Sequence, residues 1–578
     1  MAFSPFLKSI WGEATAFLDR SRRFGAVDLL VVLGFMGLVA GMLGVAREWT
    51  GPMRPTVEVD LSPGALPLYT LYSLSRGVLA YVLSLGFTLV YGYWAAKDSV
   101  AERVLVPMLD ILQSIPVLSF MPGLVLAMVS LFPRSNVGLE LASVVMIFTG
   151  QAWNMTFSYY HSLRSVPDDQ REVAAAYRFT WWQRLKWVEL PSSTIGLVWN
   201  SMMSMAGGWF FLTVTEAFVL GSRDFRLPGL GSYMSVAVAR DDVPAMFWAV
   251  FAMVGMIVLL DQLLWRPVVV WAQKFRVEEG GSREEATSWF LDWLRRSRII
   301  AWLGARLARA LEPKPRRAAP KPSTRAGAAR SRLFVRALFA ALVALLPWSA
   351  VVLFRLLSQV GPRAWGDIGL SALATLGRVL AAMALGTLWA LPVGIAIGLS
   401  PRLSRVLQPV VQVVASFPAP MLFPAVIAVL QLAHVSLNIG AIVLMLLGTQ
   451  WYILFNVIAG TMAIPADLKE AATSYRIAGR QRFFQVLLPA VFPYLVTGWV
   501  TAAGGAWNAS IVAEIFTFRG ATLTAFGIGA RISEAAERGD FPMLGASTVL
   551  LSAMVVAFNR LVWRRLFELA ESRYSLTK

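Results

Sequence analysis

Inside the apolar stretches of this 578-residue chain sit a few side chains able to do chemistry. Arg76 and Arg378 interrupt apolar runs at matching places in two related segments, and Glu216 and Glu514 do so further on. Ionisable groups are costly in hydrocarbon and mark pathways or pairings. A guanidinium there either attracts an anion or snorkels to the interface. A carboxylate facing an anion repels it unless an arginine neutralises it. Gln113, Gln412, Asn154 and Asn508, with Gln151, Gln450 and Asn200, either line a path or hydrogen-bond one helix to another. Catalysis has little to work with. Cysteine is absent, and His161 and His434 have no carboxylate at ligand spacing, so no metal site is expected. No Gly-x-x-x-x-Gly-Lys-Ser/Thr occurs, so no nucleotide is expected to bind through a P-loop and no cofactor is expected on this chain.

A second set of residues is polar and written twice. EVAAAYRFTWWQRLKWVELP begins at Glu172, and EAATSYRIAGRQRFFQVLLP begins at Glu470. In each, Asp169 or Asp467 precedes the Glu by three positions, a spacing that reads as a capping box. Ala174–Ala176, and Ala471 with Ala472, are small enough for another surface to approach closely. An amphipathic stretch then runs to Pro191 or Pro489, which leads into an apolar span. The pattern predicts a stiff helix–turn–helix, more structure than a plain connection requires.

The elements behind these residues are membrane spans. Hydrophobic residues make up 57% of the chain and mean hydropathy is +0.61, beyond the roughly 45–50% apolar share of soluble domains. Apolar runs predict spans near 26–46, 68–96, 105–131, 137–160, 193–219 and 244–271. A second set lies near 333–357, 370–399, 406–433, 437–460, 490–516 and 541–564. The sets are copies. Arg76, Pro116 and Pro122 lie 302 residues before Arg378, Pro418 and Pro424, while Trp153, Glu172, Glu216 and Trp265 lie 298 before Trp451, Glu470, Glu514 and Trp563. A net insertion of four residues near 132–140 accounts for the change. Six spans per copy give both the same orientation, so the expected fold is an all-α polytopic membrane protein. It has two parallel six-helix repeats, about 12 transmembrane helices, related by a pseudo-two-fold along the membrane normal. The divisions are an interfacial helix at 1–25, the first repeat at 26–272, a basic linker at 273–332, the second repeat at 333–570 and a tail at 571–578.

Charge sets the orientation. Of the formal +18, a net +9 falls between Lys274 and Arg332, which reads as a cytoplasmic segment rather than a nucleic-acid surface. Arg20–Arg23 and the loops at 163–187 and 469–482 join it on that side, while 47–67 faces outward, so both termini are cytoplasmic. Within the linker, 288–311 reads as an amphipathic helix on an anionic leaflet and 312–332 as disordered.

The segments Glu172–Pro191 and Glu470–Pro489 resemble the cytoplasmic loop of binding-protein-dependent ABC importer permeases, Glu-Ala-Ala-x3-Gly-x9-Ile-x-Leu-Pro. The likeness covers about 68–272 and 370–570 and is nearest to duplicated permeases for nitrate, sulfonate, taurine and bicarbonate. It implies two separate ATP-binding subunits carrying ATP and Mg, a periplasmic or lipoprotein solute-binding protein, and a multi-pass location in a bacterial inner membrane. The chain itself would be no enzyme. Contact with the ATPases is implied for Glu172, Ala174, Ala175, Tyr177, Arg178 and Pro191, and for Glu470, Ala471, Ala472, Tyr475, Arg476 and Pro489, with both Glu residues capping the contact helices. Arg178 and Arg476 stand where the family has Gly, and Val173 replaces the first Ala, so the turn is expected to use another backbone geometry. Two other readings are a permease for an amino acid or polyamine and a secondary transporter driven by an ion gradient.

Overall fold

The computed structural model describes residues 26–51, 58–220, 223–275, 287–297, 299–300, 302, 306, 347–348, 350–519 and 521–574. The expected interfacial helix at 1–25, the start of the 333–357 span and most of 301–332 lie outside the described residues. In the first half, α1 (Ala26–Thr50), α2 (Pro63–Lys97), α3 (Ser99–Ser114), α4 (Met121–Leu131) and α5 (Val137–Arg164) are followed by a short α6 (Asp168–Ala176). Then come α7 (Leu190–Glu216), the hairpin β1–β2 (Val219–Leu220, Arg223–Asp224), α8 (Leu230–Ala239) and α9 (Val243–Phe275).

The second half repeats this order. It runs α10 (Pro362–Leu399), α11 (Pro401–Ser416), α12 (Phe423–Leu432), α13 (Leu437–Met462) and α14 (Ala466–Ser474). It continues through α15 (Leu488–Ala513), the hairpin β3–β4 (Ile515–Phe518, Ala521–Thr524), α16 (Ile528–Arg538) and α17 (Phe541–Ala570). Seven described helices are long and apolar enough to cross a membrane, or up to nine if each bent pair counts as one span. α5 is also of spanning length, but it carries Glu140, Gln151 and Asn154 and packs centrally against α2 and α7. α1 instead exposes Leu29, Phe35, Met36 and Met42, apolar surface suited to lipid.

Two expected spans are not continuous. The 105–131 and 406–433 stretches each bend by 83° between α3 and α4 and between α11 and α12. The cause is local. Proline disfavours helical geometry in the residue before it, and Ile115 and Phe417 are extended (ψ 122° and 130°) ahead of Pro116 and Pro418. Short 3₁₀ turns, Val117–Phe120 and Ala419–Leu422, round the corners. Pro191 and Pro489 act differently. Each follows a π turn, Leu185–Glu189 or Phe483–Leu487, closed by the Leu190 or Leu488 N–H on the carbonyl five residues back, Leu185 or Phe483.

The halves interlock. α7 packs on α11, α3 on α17, and each corner turn meets the other half's α7 or α15. Thr548 Oγ1 donates to the Ser119 carbonyl at 3.1 Å, and Arg519 pairs with Asp241 at 2.9 Å. The hairpin ends of both halves line one cavity of about 480 Å³, so α6 and α14 both lie at the opposite end of the molecule. In the linker, the helix Trp289–Arg295 stops before Ser297, whose hydroxyl donates to Asp28 at 2.8 Å. The expected single helix over 288–311 is therefore interrupted there, because Ser297 is held by α1.

Candidate functional site

The repeated loops form α6 and α14, but not through the expected capping box. Pro167 and Pro465 occupy the N-cap positions, with no side-chain cap. Their extended ψ values of 143° and 144° start the helix one residue after the proline, which puts Asp169 and Asp467 inside the first turn. There they favour the helix dipole rather than cap it. A true capping box occurs at the next short helix, where Thr180 and Gln183 bond reciprocally, while Ala478 in the second copy provides none.

The far ends correct a second expectation. Arg178 N–H donates to Ala175 O and Phe179 N–H to Ala174 O, and Arg476 and Ile477 do the same to Thr473 and Ala472. These are the paired bonds of a Schellman turn. Arg178 (φ 48°) and Arg476 (φ 54°) are left-handed. The arginines thus keep the geometry that glycine usually supplies, at a cost of about 1 kcal/mol each. Ala174 and Ala472 are buried, Pro191 and Pro489 half-buried, and Ala175, Ala471, Arg178 and Arg476 exposed. Tyr177 and Tyr475 are 76% and 81% exposed. Glu172 and Glu470 are exposed and make no hydrogen bond or ion pair among the described residues, so they cap neither helix.

The intramembrane charges are gathered into two matching nodes. Fully buried Arg76 grips Glu140 with two bonds (2.6 and 2.7 Å) and donates to Glu216 (2.7 Å) and the Pro228 carbonyl (2.8 Å). Glu216 also accepts from Ser73 and Gly231 N–H. In the second half, Arg378 donates to Glu514 (2.8 Å), to Asn438 Oδ1 (2.7 Å) and to the Phe526 carbonyl (3.0 Å). Thr375 and Gly529 N–H complete that node. Gly229 in the first node and Gly527 in the second are glycines by necessity, since a Cβ would fall within 2.4 Å of the glutamate carboxyl. Each node ties the second helix of a half to its fifth and to the segment after the hairpin. Glu140 escaped sequence reasoning because it lies at the register shift; a second carboxylate in an apolar run near a buried arginine was the available signal.

Between the halves lies a cavity of about 170 Å³. Gln113 and Asn154 reach it from the first half, and Tyr452, Asn508 and Asn559 from the second. Neither Arg76, Arg378, Glu216 nor Glu514 lines it. Gln412 lies apart, in a space of about 20 Å³ beside Asp261. Gln151 bonds Met205, Gln450 accepts from Trp389, and Asn200 bonds its own helix. Tyr452 is the main residue that sequence reasoning left unassigned; its signal was the mismatch with Asn154 at one repeat position.

Residues 88–264 and 390–573, more than half of the chain, match the family described as binding-protein-dependent transport system inner membrane component. The chain belongs to that family. The nitrate import permease protein NrtB of Synechocystis sp. is 30% identical over 148 residues, 26% of this chain and 52% of that protein. The bicarbonate transport system permease protein CmpB of the same organism is 32% identical over 143 residues, 25% of this chain and 50% of that protein. The taurine transport system permease protein TauC of Escherichia coli is 26% identical over 226 residues, 38% of this chain and 78% of that protein. The match spans about half the length of the nitrate and bicarbonate relatives.

The two family segments differ at the root of the loops. In the first, buried Glu189 pairs with Lys97 at 2.7 Å and Arg184 at 3.3 Å. Under the repeat registers, the equivalents of Lys97 and Glu189 are Leu399 and Leu487, which pack in one apolar cluster. Both members of the pair change together, a signal present in the sequence but not drawn from it.

Proposed function

We propose that this chain is the membrane permease of an ATP-driven importer for a small anion, with both halves in one polypeptide. The observation that carries the reading is the pair of matched loop helices at one end of the molecule, each exposing Glu, Tyr and Arg beside a buried Ala. Exposed tyrosine and arginine suit a protein partner. Two ATP-binding subunits, with ATP and Mg on them, would each seat one loop, and their closure would draw α6 and α14 together. Because α7 and α15 follow the loops through π turns, that motion would pass directly to the central cavity. The loop end is then cytoplasmic, the hairpin end faces a solute-binding protein, and the bilayer is a bacterial inner membrane. The similarity to nitrate, bicarbonate and taurine permeases supports a small anion. A secondary transporter fits less well, since the intramembrane charges are bonded to one another.

The test is Glu172→Arg combined with Glu470→Arg. The expected outcome is at least a tenfold loss of ATP-driven uptake and of ATP-subunit co-purification, with the chain still extracted intact from membranes. Unchanged uptake would overturn the coupling role.

A further inference from the structure

Building on the importer reading, we propose that the cavity between the halves is a charge-free transit site selecting monovalent oxyanions of about four heavy atoms over divalent ones. Its walls contain no ionised side chain among the described residues. They do contain unused donors. The Tyr452 hydroxyl, from the second half, has no hydrogen-bond partner among the described residues, and Gly207 and Gly505 leave the room for this side chain, since a Cβ on either would come within 3.3 Å of it. Asn508 spends one amide hydrogen on Gly504 O, and its Oδ1 accepts from Leu118 N–H at the corner turn.

Donors without a cation fix the class of guest. Buried polar groups left unbonded are costly, so an acceptor is wanted there. The desolvation cost of an ion grows as the square of its charge, making a dianion roughly four times as expensive as a monoanion, with no counter-charge among the described lining side chains to offset it. Arg76 and Arg378 provide no such charge, being bonded to their own carboxylates. Size agrees. At roughly 30 Å³ per water, about 170 Å³ has the room of five or six waters, enough for a planar oxyanion and several waters. Neutral hydrogen bonds also hold an ion weakly enough to release it, as passage demands. The asymmetry belongs to the design: Asn154 and Tyr452 occupy the same repeat position and face the same space from opposite halves.

The experiment is calorimetric titration of the full-length chain in lipid nanodiscs with sodium nitrate, formate and sulfate at matched ionic strength. Nitrate and formate should bind, and sulfate at least tenfold more weakly. Tyr452→Phe and Asn508→Leu, each removing one donor with little change of shape, should weaken nitrate about tenfold while the elution profile stays monodisperse. Absence of nitrate binding, sulfate binding as tightly, or unchanged nitrate affinity in both variants would overturn the proposal. The importer reading is judged separately by ATP-subunit co-purification, which neither variant should alter. Loss of the cavity result with intact co-purification sinks only the transit site.

Discussion

Arg76 holds two carboxylates and Arg378 only one, because Asn438 stands where the first half has Glu140. The first node therefore carries a formal net charge of −1 and the second is neutral. Removing one partner of a buried ion pair costs about 3–5 kcal/mol, since the other is left uncompensated. Arg76→Met strands two carboxylates and should cost more than Arg378→Met, which strands one. Denaturant midpoints of the two variants in detergent measure the order. Adding Glu140→Gln and Glu216→Gln to Arg76→Met should recover most of the loss, because no charge is then buried alone. Equal midpoints for both single variants would contradict this account of the nodes.

At the scale of elements, the two loops are rooted differently. Lys97–Glu189 joins the end of α2 to the π turn before α7, while Leu399 and Leu487 do the same work by packing. Replacing a buried ion pair by apolar groups is often neutral or stabilising, whereas breaking it is not. Lys97→Leu alone should cost about 2 kcal/mol, discounted because Lys97 is a third exposed and Arg184 remains beside Glu189. Lys97→Leu with Glu189→Leu should return to within about 1 kcal/mol of the parent. A double-mutant cycle on unfolding midpoints reads the coupling; strictly additive losses would refute it. The loops also show how local chemistry can be overridden. Arginine is a poor choice for a left-handed turn, yet the Schellman bonds hold Arg178 and Arg476 there in both copies.

For the whole molecule, the duplication makes one chain into a pseudo-dimer whose halves meet through α7, α11, α3, α17 and the two corner turns. Those contacts join elements that lie on either side of residues 312–332 in the sequence. Cutting the chain after Pro320 and co-expressing residues 1–320 with 321–578 should therefore yield a complex. A tag on either fragment should retrieve the other in near-equal amount. Recovery of one fragment alone would show that the tether, rather than the interface, holds the halves together.

The sequence by itself determined the membrane class, the duplication and its two registers, and the paired loops, because apolar length and repeated spacing are local properties of the chain. It also marked Arg76, Arg378, Glu216 and Glu514 as exceptional, since a charge in an apolar run needs no structure to be noticed. Only the tertiary structure decided that these charges bond one another rather than face a path, and that Pro116 and Pro418 fold two expected spans into corners. It alone brought Trp153 and Tyr452, 299 residues apart, to one charge-free space between the halves. Partner choice for a buried charge or donor depends on which helices cross, and helix crossing is set by packing over hundreds of residues, which no local pattern encodes.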